Sequence, residues 1–341
     1  MRKIRLPSFT LKGEDIMEQK RSRTMRKKKK RIWTKIILFL MVILLAVGGY
    51  GAYVFYQAMK AANESYSELE RGEKSELREE AVKIGKEPVS ILLLGVEDYA
   101  SGGDGGRADT IMVATFNPDL KTMKLLSIPR DTKVYIPSKD KEDKINHSFN
   151  AGKESTIATV ENLLDIPIDY YATVDFQGFK TIIDEIGGVD VEVPFDFWEY
   201  TDGWPREKIY FEEGLRHLNG QEALAYARMR KRDPNGDFGR NDRQKQIIKA
   251  MVDSLVKPKN LLKIDEIAKH ASDNIETNVK ASEGISFITK FTSFSSDSIK
   301  NLTLEGEDET SSGTYYFIPD EEALEALKTE LQDHLNYKAS N

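Results

Sequence analysis

The sequence predicts an α/β domain carried behind one membrane-spanning helix. Three observations predict it: an uncharged run of 21 residues at 36–56, a continuous apolar run at 89–96, and strand and helix signals that alternate from there onward.

The run IILFLMVILLAVGGYGAYVFY at 36–56 forms a helix that, at about 1.5 Å per residue, matches the roughly 30 Å apolar core of a bilayer. It is longer than the roughly 7–15-residue apolar stretch of a cleaved signal peptide, which favours an uncleaved anchor. Nine Lys/Arg crowd residues 20–31 just before it. That excess of positive charge predicts a cytoplasmic N-terminus and a single-pass type II protein of the cell membrane, with the rest of the chain on the outer face. The expected organisation is a basic cytoplasmic segment 1–35, the anchor 36–56, a charged helical stalk 57–87, a catalytic domain 88–335 and a tail 336–341.

Charge divides along the same lines. Residues 1–35 hold 14 Lys/Arg and 3 Asp/Glu, whereas residues 57–341 hold 36 Lys/Arg against 53 Asp/Glu. So acidic an outer domain repels polyanions at long range, which argues against general nucleic-acid binding and requires any anionic ligand to be captured in a local pocket. The chain has no cysteine, so the exported domain relies on the size of its core rather than on disulfides.

The globular part opens at VSILLLGV (89–96), whose unbroken apolar character marks a central strand covered on both faces. A glycine-rich loop SGGDGG (101–106) follows, then strands TIMVATF (110–116) and TMKLLSI (122–128) joined by the turn Asn117-Pro118-Asp119-Leu120. As a hairpin, these strands set Arg107 opposite Arg130 and Asp109 opposite Ile128, at the end away from the turn. Glu97 and Asp98 leave the first strand toward the same edge. Helical spacing returns at 155–164 and 176–186, where Gly187-Gly188 stops the helix before a strand at 189–193. A helix at 219–226 leads to Arg228 and Arg230, which share a face if the chain is extended there. The segment 241–256 is an amphipathic helix with a core stripe of Ile247, Ile248, Met251, Val252 and Leu255. Counting back along that stripe turns Arg240, Arg243 and Gln244 inward at the helix N-terminus, an arrangement that suits a bound anion. The C-terminal part suggests a helix at 281–291, a short strand at 302–304 and a closing helix at 320–335.

The chemistry lies in these arginines. A guanidinium is a planar fork of donors matched to phosphate oxygens, and several together suit a diphosphate. Asp109 with Glu97 or Asp98 offers the one or two carboxylates by which Mg²⁺ is held beside substrate phosphates, and Asp109 or Asp98 is available as a base. The glycine loop lacks the Gly-Lys-Ser/Thr ending of a P-loop. His147, His217, His270 and His334 have no metal-ligand spacing. There is no Gly-x-Ser-x-Gly elbow.

Taken together, LLLGVED, GRADTIMVATFNP, LLSIPRDT, the KIN of 144–146, LNGQEALAYARMR and DFGRNDRQKQI, in this order behind an N-terminal anchor, resemble the LytR-CpsA-Psr family over residues 88–256. In particular they resemble the wall teichoic acid transferases of bacilli. The resemblance implies a central mixed β-sheet flanked by helices, with an apolar groove for a polyprenyl tail. It also implies transfer of a phosphate-linked glycopolymer from a polyprenyl diphosphate carrier to peptidoglycan. Arg107, Arg130, Arg228, Arg230, Arg240 and Gln244, with Arg243 nearby, become diphosphate ligands, and Asp109 the main Mg²⁺ carboxylate. The family commonly has Asp after LLLGV; here Glu97 stands there with Asp98 beside it, so either one assists the metal. The same site could instead hydrolyse polyprenyl diphosphate as a pyrophosphatase. A non-catalytic envelope regulator or scaffold is the alternative from outside enzymes.

Overall fold

In the computed structural model the described residues are 65–97, 106–280, 283–284, 287, 294–311 and 313–339. The chain divides into two compact units, 1–56 and 57–341, and every described residue belongs to the second. The basic segment and the expected anchor therefore lie outside the described residues, as do Asp98 and most of the glycine loop. Among the described residues no helix is long and apolar enough to cross a membrane.

Strand β1 (Val89–Val96) pairs antiparallel with β2 (Ala108–Asn117), which pairs antiparallel with β3 (Thr122–Ile128). A small hairpin of β4 (Lys133–Ile136) and β5 (Lys141–Lys144) follows, and then helix α1 (Lys153–Leu164) leads to β6 (Tyr170–Asp175), parallel to β1. Helix α2 (Phe176–Glu185) is capped by the Asp175 carboxylate, which accepts from Gly178 N at 2.7 Å. It ends at Gly187 and Gly188, at φ 82° and 84°, a left-handed conformation that L side chains resist. Strands β7 (Val189–Val193), β8 (Phe197–Tyr200), β9 (Lys208–Phe211) and β10 (Gly214–Leu218) form two ribbons, β7 with β10 and β8 with β9. Helix α3 (Gly220–Arg228) begins with a capping box of Asn219 and Glu222, and α4 (Gly236–Leu255) is the longest helix described. Two short helices, α5 (Pro258–Leu261) and α6 (Ile264–Ala271), precede β11 (Ile275–Thr277) and β12 (Ile299–Thr303). The hairpin β13 (Gly306–Ser311) and β14 (Thr314–Pro319) and helix α7 (Glu321–His334) close the chain.

The central sheet has the order β11-β6-β1-β2-β3-β12 and mixes parallel with antiparallel neighbours. β1 is covered on both faces, as its continuous apolar run requires. Leu92 and Leu94 share a core with Ile157 and Leu164 of α1 and Leu331 of α7, while Leu93 lies against the opposite cluster of Met112, Phe116 and Ile248. Each fully buried Leu contributes about 1.5–3 kcal/mol. A further core of Ile183, Val191, Tyr226 and Ile247 joins α2, β7, α3 and α4.

Two expectations change here. Residues 65–87, expected as a helical stalk, contain no helix and run as turns along the domain. Leu69 is buried in the core, Arg71 pairs with Glu161 at 2.7 Å, and Arg78 grips Asp169 through two bonds of 2.8 Å. The charges that suggest a solvated helix are anchors, and Gly72 and Gly85, both at φ 79°, break its path. Helix α4, expected from residue 241, starts at Gly236. The expected helix at 281–291 lies largely outside the described residues, whereas the β13–β14 hairpin was not expected.

Candidate active site

The hairpin register brings the first two site residues together. The β2–β3 ladder pairs Asn117 with Thr122 and Ile111 with Ile128, so Asp109, rather than Arg107, faces Arg130. The reason is the turn. Asn117 Oδ1 accepts from Asp119 N at 3.0 Å and Leu120 N at 3.1 Å, and Lys121 adopts φ 53°, so Asn117 stays in the ladder and the four loop residues are 118–121 rather than 117–120. A shift of two keeps every side chain on its expected face. Arg130 Nη1 donates to Asp109 Oδ1 at 2.9 Å.

The IPRDT segment is a tight turn in which Thr132 N donates to Pro129 O at 3.0 Å. Asn146 N, from the KIN segment, donates to Arg130 O at 3.1 Å, and Lys144 Nζ donates to Asp131 Oδ1 at 2.7 Å. That motif holds the turn. Burial works to lower the Arg130 pKa, but the Asp109 carboxylate, with Asp131 and Asp237, raises it overall.

The remaining cations come from α3 and α4. Arg228 ends α3 with its guanidinium 4.8 Å from the Phe176 ring, Met229 is extended and buried, and Arg230 follows. Arg240 is 6 % exposed in α4. Asp237, one turn earlier, lies 2.9 Å from Arg230 Nε through one oxygen and 2.9 Å from Arg240 Nη2 through the other. Burial lowers the Arg240 pKa, Asp237 opposes, and the neighbouring Arg130 and Arg230 push it further down. Arg240 Nε and Arg228 Nη1 are buried with no hydrogen-bond partner. Such donors are costly unless something accepts from them.

Arg130, Arg228, Arg230, Arg240 and Gln244 line one cavity of about 660 Å³ together with Asp109 and Glu97. Its depth is apolar, walled by Leu93, Met112, Val174, Phe179, Ile248 and Val252. Of the expected core stripe on α4 only Ile247 is fully buried; Ile248, Met251, Val252 and Leu255 are half-buried and form the wall of this cavity.

Two expected ligands stand elsewhere. Arg243 is 3 % exposed. Its Nε donates to Tyr226 O at 3.0 Å, and its two terminal nitrogens go to Asp233 and to Met229 O. It clamps the turn after α3 and is not among the residues lining the cavity. Arg107 is exposed at the start of β2 and is not among the residues lining the cavity. Asp237, Asp233 and Phe176 escaped the sequence reading. The Pro234-Asn235-Gly236 turn signal, placing the helix start at 236, was enough to set Asp237 one turn before Arg240 on a common face.

For Mg²⁺, Gly95 pairs with Thr110 and Val96 with Ala108 across a bulge, which brings Glu97 beside the strand that carries Asp109. Both carboxylates line the cavity that the arginines line. Two carboxylates beside a cluster of guanidiniums are a donor set that suits a Mg²⁺ ion completing its shell with water and phosphate oxygens. The four histidines are engaged by protein: His147 with Asp143, His217 with Asp190, His270 with Glu185, and His334 with Thr115 and Thr122.

Fold and site together define a mixed α/β domain that sets clustered guanidiniums and two carboxylates at the mouth of a deep apolar cavity. The chain belongs to the LytR_cpsA_psr family, whose model matches residues 52–333. It is 50% identical over 313 residues to the polyisoprenyl-teichoic acid–peptidoglycan teichoic acid transferase TagV of Bacillus subtilis (strain 168), covering 90% of this chain and 80% of that one. The crystal structure of B. subtilis TagV superposes with a TM-score of 0.68 at 51% identity, over 74% of this chain and 99% of that one. A structure of TagT bound to LI-WTA matches with a TM-score of 0.66 at 32% identity, over 80% of this chain and 100% of that one.

Proposed function

We propose that the chain is a membrane-anchored, Mg²⁺-dependent phosphotransferase. It moves a phosphate-linked anionic glycopolymer, wall teichoic acid foremost, from a polyprenyl diphosphate carrier to a hydroxyl of peptidoglycan on the outer face of the membrane. The observation that carries this reading is that the guanidiniums of Arg130, Arg228, Arg230 and Arg240 share one cavity of about 660 Å³ with an apolar wall. A ligand that matches both halves has a diphosphate head and a hydrocarbon tail. The names of the transferases to which the chain is similar support the same substrate class.

In this mechanism Arg130, Arg228, Arg230 and Arg240 bind the diphosphate and hold it in line for displacement. The peptidoglycan hydroxyl oxygen forms a bond to the glycopolymer-proximal phosphorus as the bond from that phosphorus to the bridging oxygen breaks. Polyprenyl phosphate leaves with the electron pair, and Asp109 or Asp98 takes the hydroxyl proton. Arg240, the buried one of the four, acts where water is scarce, which strengthens its hold on the charge that develops. Asp109 with Glu97 or Asp98 would hold Mg²⁺, which would supply neutralisation of phosphate charge. The apolar wall takes the polyprenyl tail.

The test is transfer of a synthetic polyprenyl-diphosphate glycan onto peptidoglycan fragments by the purified full chain, with and without Mg²⁺, beside Arg130→Ala. The expected result is a product that requires both Mg²⁺ and Arg130. Carrier phosphate released without glycan attachment in the presence of acceptor overturns the transferase in favour of a pyrophosphatase.

A further inference from the structure

The cavity has a second set of cations that the diphosphate does not account for. Arg206, Lys231 and Arg232 line it beside Tyr200. Arg232 is built into the wall: its guanidinium lies 3.4 Å from the Trp198 ring, and Nη1 donates to Glu199 Oε2 at 3.1 Å. Arg206 and Lys231 are exposed and have no carboxylate partner among the described residues. Unpaired cations on the rim are notable in a domain with 36 Lys/Arg against 53 Asp/Glu. Two residues before Arg206, Trp204 is 92 % exposed.

The position of this group orders it relative to the diphosphate. β1 and β6 are parallel, with Val96 level with Asp175, so Glu97 and Phe176 leave the sheet at one end. The β8–β9 hairpin is tied to that end, because Lys180, in the second turn of α2, donates to Asp202 Oδ2 at 2.8 Å. The apolar wall of Leu93, Ile248 and Val252 lies farther back along the cavity. A ligand whose tail fills the apolar part and whose diphosphate meets Arg228 and Arg230 emerges beside Tyr200, Arg206 and Lys231.

We propose that Arg206 and Lys231, with the Tyr200 and Trp204 rings, form a subsite for the phosphodiester-linked sugar or polyol units of the glycopolymer next to its diphosphate. This rests on the transferase reading. The cations meet phosphodiester oxygens, and the rings offer flat apolar faces to the units between them. Exposed aromatic and cationic residues also suit an anionic lipid surface, but Tyr200, Arg206 and Lys231 line a concavity, with Trp204 outside that lining, and a chain can enter it where a flat bilayer cannot. The subsite makes the enzyme selective for a polyanionic polymer over a neutral glycan on the same carrier.

The test uses the full chain in detergent and the double variant Arg206→Gln/Lys231→Gln. A dye-labelled short oligomer of phosphodiester-linked glycerol, with no lipid and no diphosphate, is titrated by fluorescence anisotropy beside a neutral glycan of equal length. The wild type is expected to bind the oligomer with an affinity that falls as salt rises, and the double variant about tenfold more weakly. Its melting temperature should match that of the wild type. In turnover, the wild-type preference in kcat/KM for a phosphodiester-bearing donor over an unphosphorylated one should shrink toward unity in the variant. Equal oligomer binding by both proteins overturns the proposal. So does a variant that loses binding to phosphatidylglycerol vesicles while keeping the oligomer, which makes the group a membrane contact. Wild-type transfer with unchanged selectivity in the variant overturns the subsite and leaves the transferase standing. Oligomer binding lost in the variant, from a wild type that transfers nothing, upholds the anion subsite and overturns the transferase.

Discussion

Asp109 and Arg130 stand opposite each other two positions beyond the last β2–β3 ladder pair, with Nη1 of the arginine 2.9 Å from Oδ1 of the aspartate. The proposed catalytic cation and the proposed metal carboxylate thus hold each other in place. Both side chains are partly exposed, so the pair adds no more than about 1 kcal/mol to stability. Arg130→Ala and Asp109→Ala should each cut transfer by about 10²-fold or more. Arg130→Lys should keep only a fraction, since an ammonium lacks the fork. Thermal melts should move by no more than about 2–4 °C, which separates loss of chemistry from loss of fold. An Asp109→Ala protein with full Mg²⁺-dependent activity would refute the metal assignment.

Arg240 and Arg243, three residues apart on α4, should behave in opposite ways. Arg243 and Asp233 are 3 % and 2 % exposed and pair with each other, so Arg243→Ala strands a buried carboxylate and should cost about 3–5 kcal/mol. That is a fall in Tm of roughly 10 °C. The double variant Asp233→Asn/Arg243→Met should recover part of it. Arg240 has a buried Nε without a partner and a pKa lowered first of all by burial. Arg240→Met should leave Tm unchanged or raise it while abolishing diphosphate binding. Calorimetry with a short polyprenyl diphosphate, beside the melts, reads both effects.

This contrast marks where the sequence stops being legible. Helical spacing turned Arg240, Arg243 and Gln244 inward, and all three point that way. What Arg243 meets depends on the backbone carbonyls of Tyr226 and Met229, fourteen to seventeen residues away, and no periodicity encodes that. The apolar stripe poses the same problem. Ile248, Met251, Val252 and Leu255 face inward as spacing requires, yet their neighbour is a cavity rather than packed core. Pattern reports which side of a helix avoids water, not what fills the space. The alternating order of strands and helices, the hairpin and the convergence on the sheet edge were readable because they depend on local turn chemistry and period-two alternation. The 65–87 segment was misread because its charges pair with Glu161 and Asp169, which are distant in sequence.

If the half-buried stripe of α4 contacts a polyprenyl tail, narrowing the cavity should discriminate by tail length. Ile248→Trp places a large ring in the apolar part, away from the arginines. Its KM for a long-chain polyprenyl donor should rise about tenfold or more, corresponding to about 1.4 kcal/mol of lost binding. A donor with a two-isoprene tail should be affected much less. An equal rise for both donors means that the substitution disturbs the diphosphate site, and no rise for either means that the tail lies elsewhere.

His334 sets the acid side of stability. It is 3 % exposed, with Nδ1 2.7 Å from Thr115 Oγ1 and Nε2 3.0 Å from Thr122 Oγ1. Burial, reinforced by Lys124 and opposed by Glu330, pushes its pKa down from 6.5 to about 4. The unfolded chain therefore binds this proton at higher pH than the folded protein does. Stability is fully present above the unfolded value and is lost as pH falls from 6.5 toward 4, by up to about 1.4 kcal/mol per pH unit. The Asp143 carboxyl, held down to about 2, titrates below that window. Melts at pH 7.5 and pH 5.0 should show a clear drop for the wild type and a smaller one for His334→Gln, which bears no titrating ring. An equal drop in both proteins would place the acid sensitivity on other groups.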